Sequence, residues 1–159
     1  AQAGRAIDLD ASAITFDAQG TKDEIIWRRN RSEYQGAVQH LGDHRTGAGP
    51  GVDAEAIIVE LARVPATVES LAFTINSITG DRFTDLAAAH LRLVDRVTGY
   101  EVARFDLTDT QPSTAVIMAI VKRNPAVAGG WEMRAIGEFH DTRFVKRLVD
   151  AAQRHAAMP

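Results

Sequence analysis

The segment Asp8-Leu9-Asp10-Ala11-Ser12 carries the strongest hint of chemistry in this chain. Side chains two apart on a strand share a face, with Cα atoms roughly 6–7 Å apart, so the two carboxylates point the same way. Like charges held so close are costly unless solvent screens them or a cation sits between them. A hard cation such as calcium takes oxygen ligands at roughly 2.3–2.6 Å and suits such a pair. A plain solvated strand face satisfies the same spacing. A second acidic stretch, Gly42 to Asp53 (GDHRTGAGPGVD), is glycine-rich and carries Asp43 and Asp53. Glycines let backbone carbonyls turn inward, and a calcium site needs them because carboxylates alone rarely fill its coordination shell. An ordinary surface loop is the competing reading.

Other motifs fail on detail. Asp8, Asp10 and Ser12 occupy the first three ligand positions of an EF-hand, but Ala13 stands where glycine is required and Gln19 where the bidentate glutamate belongs. Gly42 and Gly47 have P-loop spacing, yet Ala48 and Gly49 replace the lysine and the hydroxyl residue. His40 and His44 flank a carboxylate without a third ligand at fixed spacing, so they read as loop histidines rather than zinc ligands. No G-x-S-x-G elbow is present. His90 falls on a strand, His140 at a strand–helix junction and His155 near a helix end. Trp27 and Trp131 read as half-buried strand residues.

The elements that must hold these groups are mostly strands. Alternation predicts them at Asp8–Phe16, Ala56–Leu61, Ser70–Ile78, Ala89–Asp95, Tyr100–Leu107 and Trp131–Phe139. Ala115–Val121 is apolar on both faces and fits a central strand or a short buried helix. Turn signals stand at Ala18-Gln19-Gly20, Thr98-Gly99 and Gly129-Gly130. Phe144, Leu148, Val149 and Ala152 recur at helical spacing behind Asp141, a candidate N-cap, and predict one amphipathic helix over Thr142–Ala156. Its charged face, with Arg143, Lys146, Arg147 and Asp150, should be solvated. The expected fold is mainly β: an antiparallel β-sandwich with a C-terminal amphipathic helix.

The 159 residues read as one domain, 1–159, with no repeat or linker. The absence of cysteine excludes disulfides, thiolate metal sites and cysteine nucleophiles, so any metal must be held by oxygen or imidazole. A net charge of −3 argues against a nucleic-acid partner. No apolar run reaches the roughly 18 residues of a membrane span, and no secretory leader is visible. These readings set the expectation of a cytoplasmic protein.

Several segments together resemble a known family: DLDAS (Asp8–Ser12), HLGDHRTGAG (His40–Gly49), Val64-Pro65, RFDL (Arg104–Leu107) and GWEMRAIG (Gly130–Gly137). In this order they resemble the TerD family of tellurium-resistance and general stress proteins, over roughly Ile7 to Gly137. The resemblance implies a bacterial, cytoplasmic, calcium-binding β-sandwich that is not an enzyme. It would act in tellurite resistance and other stress responses through other proteins, a second copy of itself being one candidate. Carried across residue by residue, the metal set is Asp8, Asp10, Asp43 and Asp53, with oxygens around Thr46 and Gly47. The chain departs from the family where Pro50 and Val52 replace two loop aspartates and Ala54 a glutamate. Glu55 substitutes only if the register shifts by one. One family calcium site is therefore expected to be degraded. The chain also begins almost at DLDAS, whereas family members carry further strands before it; either those residues lie outside this sequence or this is an N-terminally shortened member, whose open sheet edge would be covered by the C-terminal helix or a second subunit. Two other readings stand beside this one. One is a TerD-like interaction module without a working metal site. The other is an enzyme using carboxylates with His40 or His44 as acid–base groups.

Overall fold

A computed structural model describes residues 9–43, 55–77, 90–94, 101–106 and 113–158. Its strands are β1 (Leu9–Asp17), β2 (Lys22–Ile26), β3 (Ser32–Glu33), β4 (Val38–Asp43), β5 (Glu55–Val59), β6 (Val68–Ser77), β7 (His90–Val94), β8 (Glu101–Asp106), β9 (Ala115–Arg123) and β10 (Trp131–His140). A 3-10 turn at Val145–Leu148 leads into the helix α1, Val149–Ala157. The strands form a five-stranded sheet in the order β10-β9-β6-β1-β2, a three-stranded sheet β3-β4-β5 and a β7-β8 hairpin, and every pairing is antiparallel.

The large sheet is apolar on both faces. Ala13, Leu71, Phe73 and Val121 on one face pack with Val38 and Val59 of the three-stranded sheet, which makes the sandwich core. Ile14, Phe16, Ala72, Ile117 and Ile120 on the other face pack under Val145, Leu148, Ala151, Ala152 and Ala156. Burying each larger side chain contributes roughly 1.5–3 kcal/mol. Two covered faces explain why β9 shows no alternation: Ala115 through Val121 are all buried, and the segment is a central strand rather than a helix.

Irregularities are repaired by side chains. The β1–β2 register breaks between Ile14 and Phe16. There the Thr15 hydroxyl accepts the Glu24 N–H at 2.9 Å, standing in for the missing ladder bond. The Tyr34 hydroxyl bonds both Thr15 and Asp23, and burial together with Asp23 raises its pKa. In β10 the register breaks between Ala135 and Glu138, where Gly137 takes a φ of 72°, a conformation that favours glycine.

Three expectations need correction. The strands β2, β3 and β4 lie where none was predicted, because KDEII and VQHLGD do not alternate cleanly. The predicted Ala56–Leu61 strand ends at Val59, and Leu61–Arg63 is a 3-10 turn. The predicted helix over Thr142–Ala156 begins later. Thr142 is pinned to the sheet instead, its carbonyl accepting from Asn76 Nδ2 at 3.2 Å and Thr114 Oγ1 at 3.1 Å. Asp141 caps nothing: α1 starts after Leu148 without a side-chain cap. Val145, not Phe144, heads the apolar stripe, and Phe144 is 60% exposed. Arg143, Lys146, Arg147 and Asp150 do face solvent. The helix touches β1, β6 and β9, so it covers the sheet's face rather than an outer edge. The expected strand ends Asp8, Ile78, Ala89, Asp95, Tyr100 and Leu107, and the Thr98-Gly99 turn, lie outside the described residues.

Polar bonds close the C-terminus. Lys122 Nζ and Arg134 Nη1 donate to the Met158 carbonyl at 2.8 and 3.0 Å, placing cations at the negative end of the helix. Gln153 Nε2 donates to the Gly20 carbonyl. Glu138 of β10 bonds His155 of α1 and lies 2.9 Å from His140. The His155 hydrogen bond, ahead of both histidine charges, holds the Glu138 pKa below its ordinary 4.5. A carboxylate depressed in the folded state contributes stability above its unfolded pKa and loses it as pH falls through the folded value. Glu138→Gln should therefore flatten the fall in melting temperature below about pH 4.5. Parallel acid profiles for variant and wild type would refute that contribution. Leu148→Ala should cost about 2–5 kcal/mol in a urea melt, while Phe144→Ala should change stability by less than about 0.5 kcal/mol. Equal losses would contradict the placement of the helix.

Candidate metal centre

Asp10 is only 4% exposed, although it stands near the start of an acidic strand. A buried carboxylate needs partners. Two come from different elements. The β2 strand ends at Ile26, and residues 27–30 form a tight turn in which Trp27 and Asn30 exchange backbone bonds of 3.0 and 2.9 Å. This turn sets Arg28 Nε 4.0 Å from Asp10 Oδ2. The Arg28 and Arg29 guanidinium groups lie 5.8 and 5.9 Å from the Trp27 ring centre. The second partner is His40, whose Nε2 lies 3.3 Å from Asp10 Oδ1. His40 sits on β4 and is held there by its own N–H, which donates to the Arg31 carbonyl at 2.7 Å. The expectation of a loop histidine at 40 is thus wrong: His40 is a buried strand residue.

The β1–β6 register sets Asp10 directly opposite Asn76 and Ser12 opposite Thr74. Residues so paired share a face. All four are at least nine-tenths buried. Among the described residues, Ser12 Oγ, Thr74 Oγ1 and Asn76 Oδ1 have no hydrogen-bond partner. Such orphans are rare in folded proteins and call for an explanation at each site.

Of the predicted metal residues, Asp8, Thr46 and Asp53 lie outside the described residues, as does His44. The backbone of Asp43 closes β4, paired with Glu55 of β5. Since His40 of the same strand touches Asp10, the structure brings the strand of Asp43 to the strand of Asp10. Among the described residues, no three His, Asp or Glu side chains form a metal-binding group. The neutral residues Thr74 and Asn76 escaped notice in the sequence. Their only signal was alternation with Phe73 and Ile75, which marked them as the polar face of β6.

These features define a class: a β-sandwich with a buried carboxylate and unpartnered oxygens on one face of its large sheet. Comparison with known proteins shows the family and the fold. A family model for the TerD domain matches residues 1–151, and the chain belongs to the TerD family. It is 44% identical over 131 residues to the tellurium resistance protein TerZ of Serratia marcescens, covering 82% of this chain and 65% of that one. Tellurium resistance protein TerD of the same organism is 36% identical over 143 residues, covering 85% and 72%. General stress protein 16U of Bacillus subtilis is 33% identical over 155 residues, covering 92% and 78%. The chain thus spans about two thirds of the length of TerZ. A solved homologue of telluride resistance protein TerD from Streptomyces coelicolor shares the fold, with a TM-score of 0.75 at 22% identity over 94% of this chain and 88% of that one.

The Asp10–His40 contact should be measurable. His40→Leu should cost about 1–3 kcal/mol in metal-free buffer, because it removes a partner from a buried carboxylate. A double-mutant cycle with Asp10→Asn should show coupling above 0.5 kcal/mol or so. Strictly additive losses would mean the two side chains act independently.

Proposed function

We propose that this chain works as a bacterial stress-response protein of the tellurite-resistance type, and that it binds calcium through oxygen ligands. The carrying observation is the buried Asp10 carboxylate on the DLDAS strand, with the strand of Asp43 alongside and unpartnered oxygens on the same face. These donors fit a hard cation, which prefers carboxylate, carbonyl and hydroxyl oxygens. The names of the relatives, tellurium resistance and general stress proteins, support the biological half of the reading.

In this proposal Asp8, Asp10, Asp43 and Asp53 hold the ion, with oxygens around Thr46 and Gly47. When bound, calcium supplies positive charge that offsets the clustered carboxylates and ties β1 to the glycine-rich segment. His40 orients one Asp10 oxygen, and an ion would share the other with the Arg28 guanidinium 4.0 Å away or displace it. This positioning is the usual task of a metal ligand's own hydrogen-bond partner. We assign the protein a cytoplasmic role exerted through other proteins, a second copy included, rather than through turnover. No helix among the described residues is long and apolar enough to cross a membrane. An acid–base role for His40 is disfavoured by its burial: its side chain is 1% exposed and already engages Asp10.

One sequence observation favours a second reading, an interaction module whose metal site has decayed. Pro50, Val52 and Ala54 stand where family members carry acids. Calcium titration followed by melting temperature separates the two. A ligand that binds only the folded state stabilises it by about 2.7 kcal/mol at a hundred times its Kd. The calcium-binding protein should therefore melt higher in millimolar calcium, and Asp8→Ala/Asp10→Ala should abolish the shift. An unshifted wild type would establish the second reading. Retention of the shift in the double variant would put the ion elsewhere. Expression in a tellurite-sensitive bacterium should raise survival on tellurite, and equal survival with an empty vector would count against the resistance role.

A further inference from the structure

The segment from Lys22 to Glu33 separates its charges. Arg28, Arg29 and Arg31 crowd its tip, the tight turn of residues 27–30 and the position after it. Asp23 and Glu24 lie on its stem, β2, and Glu33 on β3, with Lys22 beside them. The three arginines and Asp23 are exposed, and Glu24 and Glu33 are half-buried. Tip and stem are each held in place. The Arg28 and Arg29 guanidinium groups lean on the Trp27 ring, and Arg31 Nε donates to the Arg28 carbonyl at 3.2 Å. The Tyr34 hydroxyl donates to Asp23, and Asn30 Nδ2 donates to Glu33 Oε2 at 3.0 Å.

Among the described residues, no ion pair joins this tip to this stem. Arg28 approaches Asp10 instead, which His40 also engages, and Arg29 and Arg31 carry no ion pair. The stem registers its own excess: burial, then the charges of Glu33 and Asp23, raise the Glu24 pKa above its ordinary 4.5, with Lys22 opposing. Like charges gathered in this way repel, and each group is best relieved by a counter-charge from outside. A second copy of the chain carries both. The two halves mirror each other about Ile26: Glu24 and Arg28 stand two positions to either side of it, Asp23 and Arg29 three. A copy turned about a two-fold axis beside Ile26 lays its tip on this stem and receives this tip on its own. That is the self-complementary pattern of a symmetric dimer. β2 is an end strand of the large sheet, so the segment stands at the sheet's rim. Asn30 Nδ2 already holds the Ile25 carbonyl at 2.8 Å, so the contact runs through side chains rather than through a continued ladder.

We propose that the 22–33 segment is a docking surface for a second copy of this chain, with Arg28, Arg29 and Arg31 of each protomer set against Asp23, Glu24 and Glu33 of the other. The inference rests on the reading above that the protein acts through other proteins, a second copy included, and it names the surface. The segment's twelve residues are fewer than the roughly 20–30 a side of a stable interface, and exposed ion pairs are screened by salt. The dimer is therefore weak and dissolves as salt rises.

The test is analytical ultracentrifugation of the full chain over a range of protein concentrations, at about 0.05 M and about 0.5 M sodium chloride. The wild type should dimerise at low salt and lose about tenfold or more in affinity at high salt. Arg29→Glu/Arg31→Glu reverses the tip and Asp23→Lys/Glu24→Lys the stem, while Arg28 stays in place because it neighbours Asp10. Each reversed variant should be monomeric alone. An equimolar mixture of the two should recover the dimer, because each tip then meets a stem of opposite charge. The variant carrying both reversals should dimerise with itself. Circular dichroism checks each fold. Where a reversal unfolds, the neutral pairs Arg29→Gln/Arg31→Gln and Asp23→Asn/Glu24→Gln should show the same loss of affinity. A monomeric wild type, a dimer that both reversed variants retain, or a mixture that stays monomeric overturns the inference. None of these results bears on calcium binding or tellurite survival, which their own assays decide. A monomeric wild type that retains a polyglutamate peptide through Arg29 and Arg31 would overturn self-docking and assign the tip to an acidic partner protein.

Discussion

The pairing of Leu9–Asp17 with Val68–Ser77 governs the rest of the molecule. It runs from Leu9↔Ser77 to Phe16↔Ser70 without a break in register. Every layer takes its orientation from it. Ile14 opposite Ala72 faces the C-terminal helix, and Ala13 opposite Phe73 faces the smaller sheet. A slip of one residue would exchange these faces and drive both cores apart. The same register puts four oxygen-bearing side chains, Asp10, Asn76, Ser12 and Thr74, into one buried group at the strand end. Structure and candidate chemistry therefore depend on a single alignment.

Around that ladder the chain is tied by side chains reaching backbone. Arg123 donates to the carbonyls of Val68, Val64 and Pro65, and its guanidinium lies 4.2 Å from the centre of the Trp131 ring. The Val64-Pro65 pair and the GWEMRAIG segment are thus joined in space by one arginine. Charge-assisted bonds to carbonyls are stronger than neutral ones, and the aromatic face adds a cation–π contribution. At the other end Thr142 performs a similar task in reverse, offering its carbonyl to Asn76 of β6 and to Thr114 just before β9. Those bonds explain why the helix cannot begin at Thr142.

Much of this is legible in the sequence. Where one strand face is more apolar than the other, as in β6 and β8, alternation located the strands to within a residue or two. The short KDEII strand and the histidine-bearing β4 were missed because their alternation is too weak and brief to stand above loop composition. For the site, residue types at 8, 10, 43 and 53 suggested hard-cation chemistry. The DLDAS and glycine-rich segments, with their companions, suggested the TerD family. The burial of His40, Thr74 and Asn76 is not legible in the sequence. His40 stood beside glycines that suggested a loop, and neutral residues on an alternating strand look like an ordinary solvated face.

The sequence by itself determined the chemical inventory. Without cysteine, only oxygen and imidazole can bind a metal, and the order of motifs carries the family. Apolar periodicity likewise decided that strands dominate, because the two-residue period is local and needs no partner to be read. Tertiary structure decided burial. Whether Asp10 meets water or His40, and whether Thr74 faces solvent or Ser12, depends on residues thirty or more positions apart in the chain. Local pattern cannot encode that choice. It is made when the sheet pairs, in a register that two apolar cores enforce together.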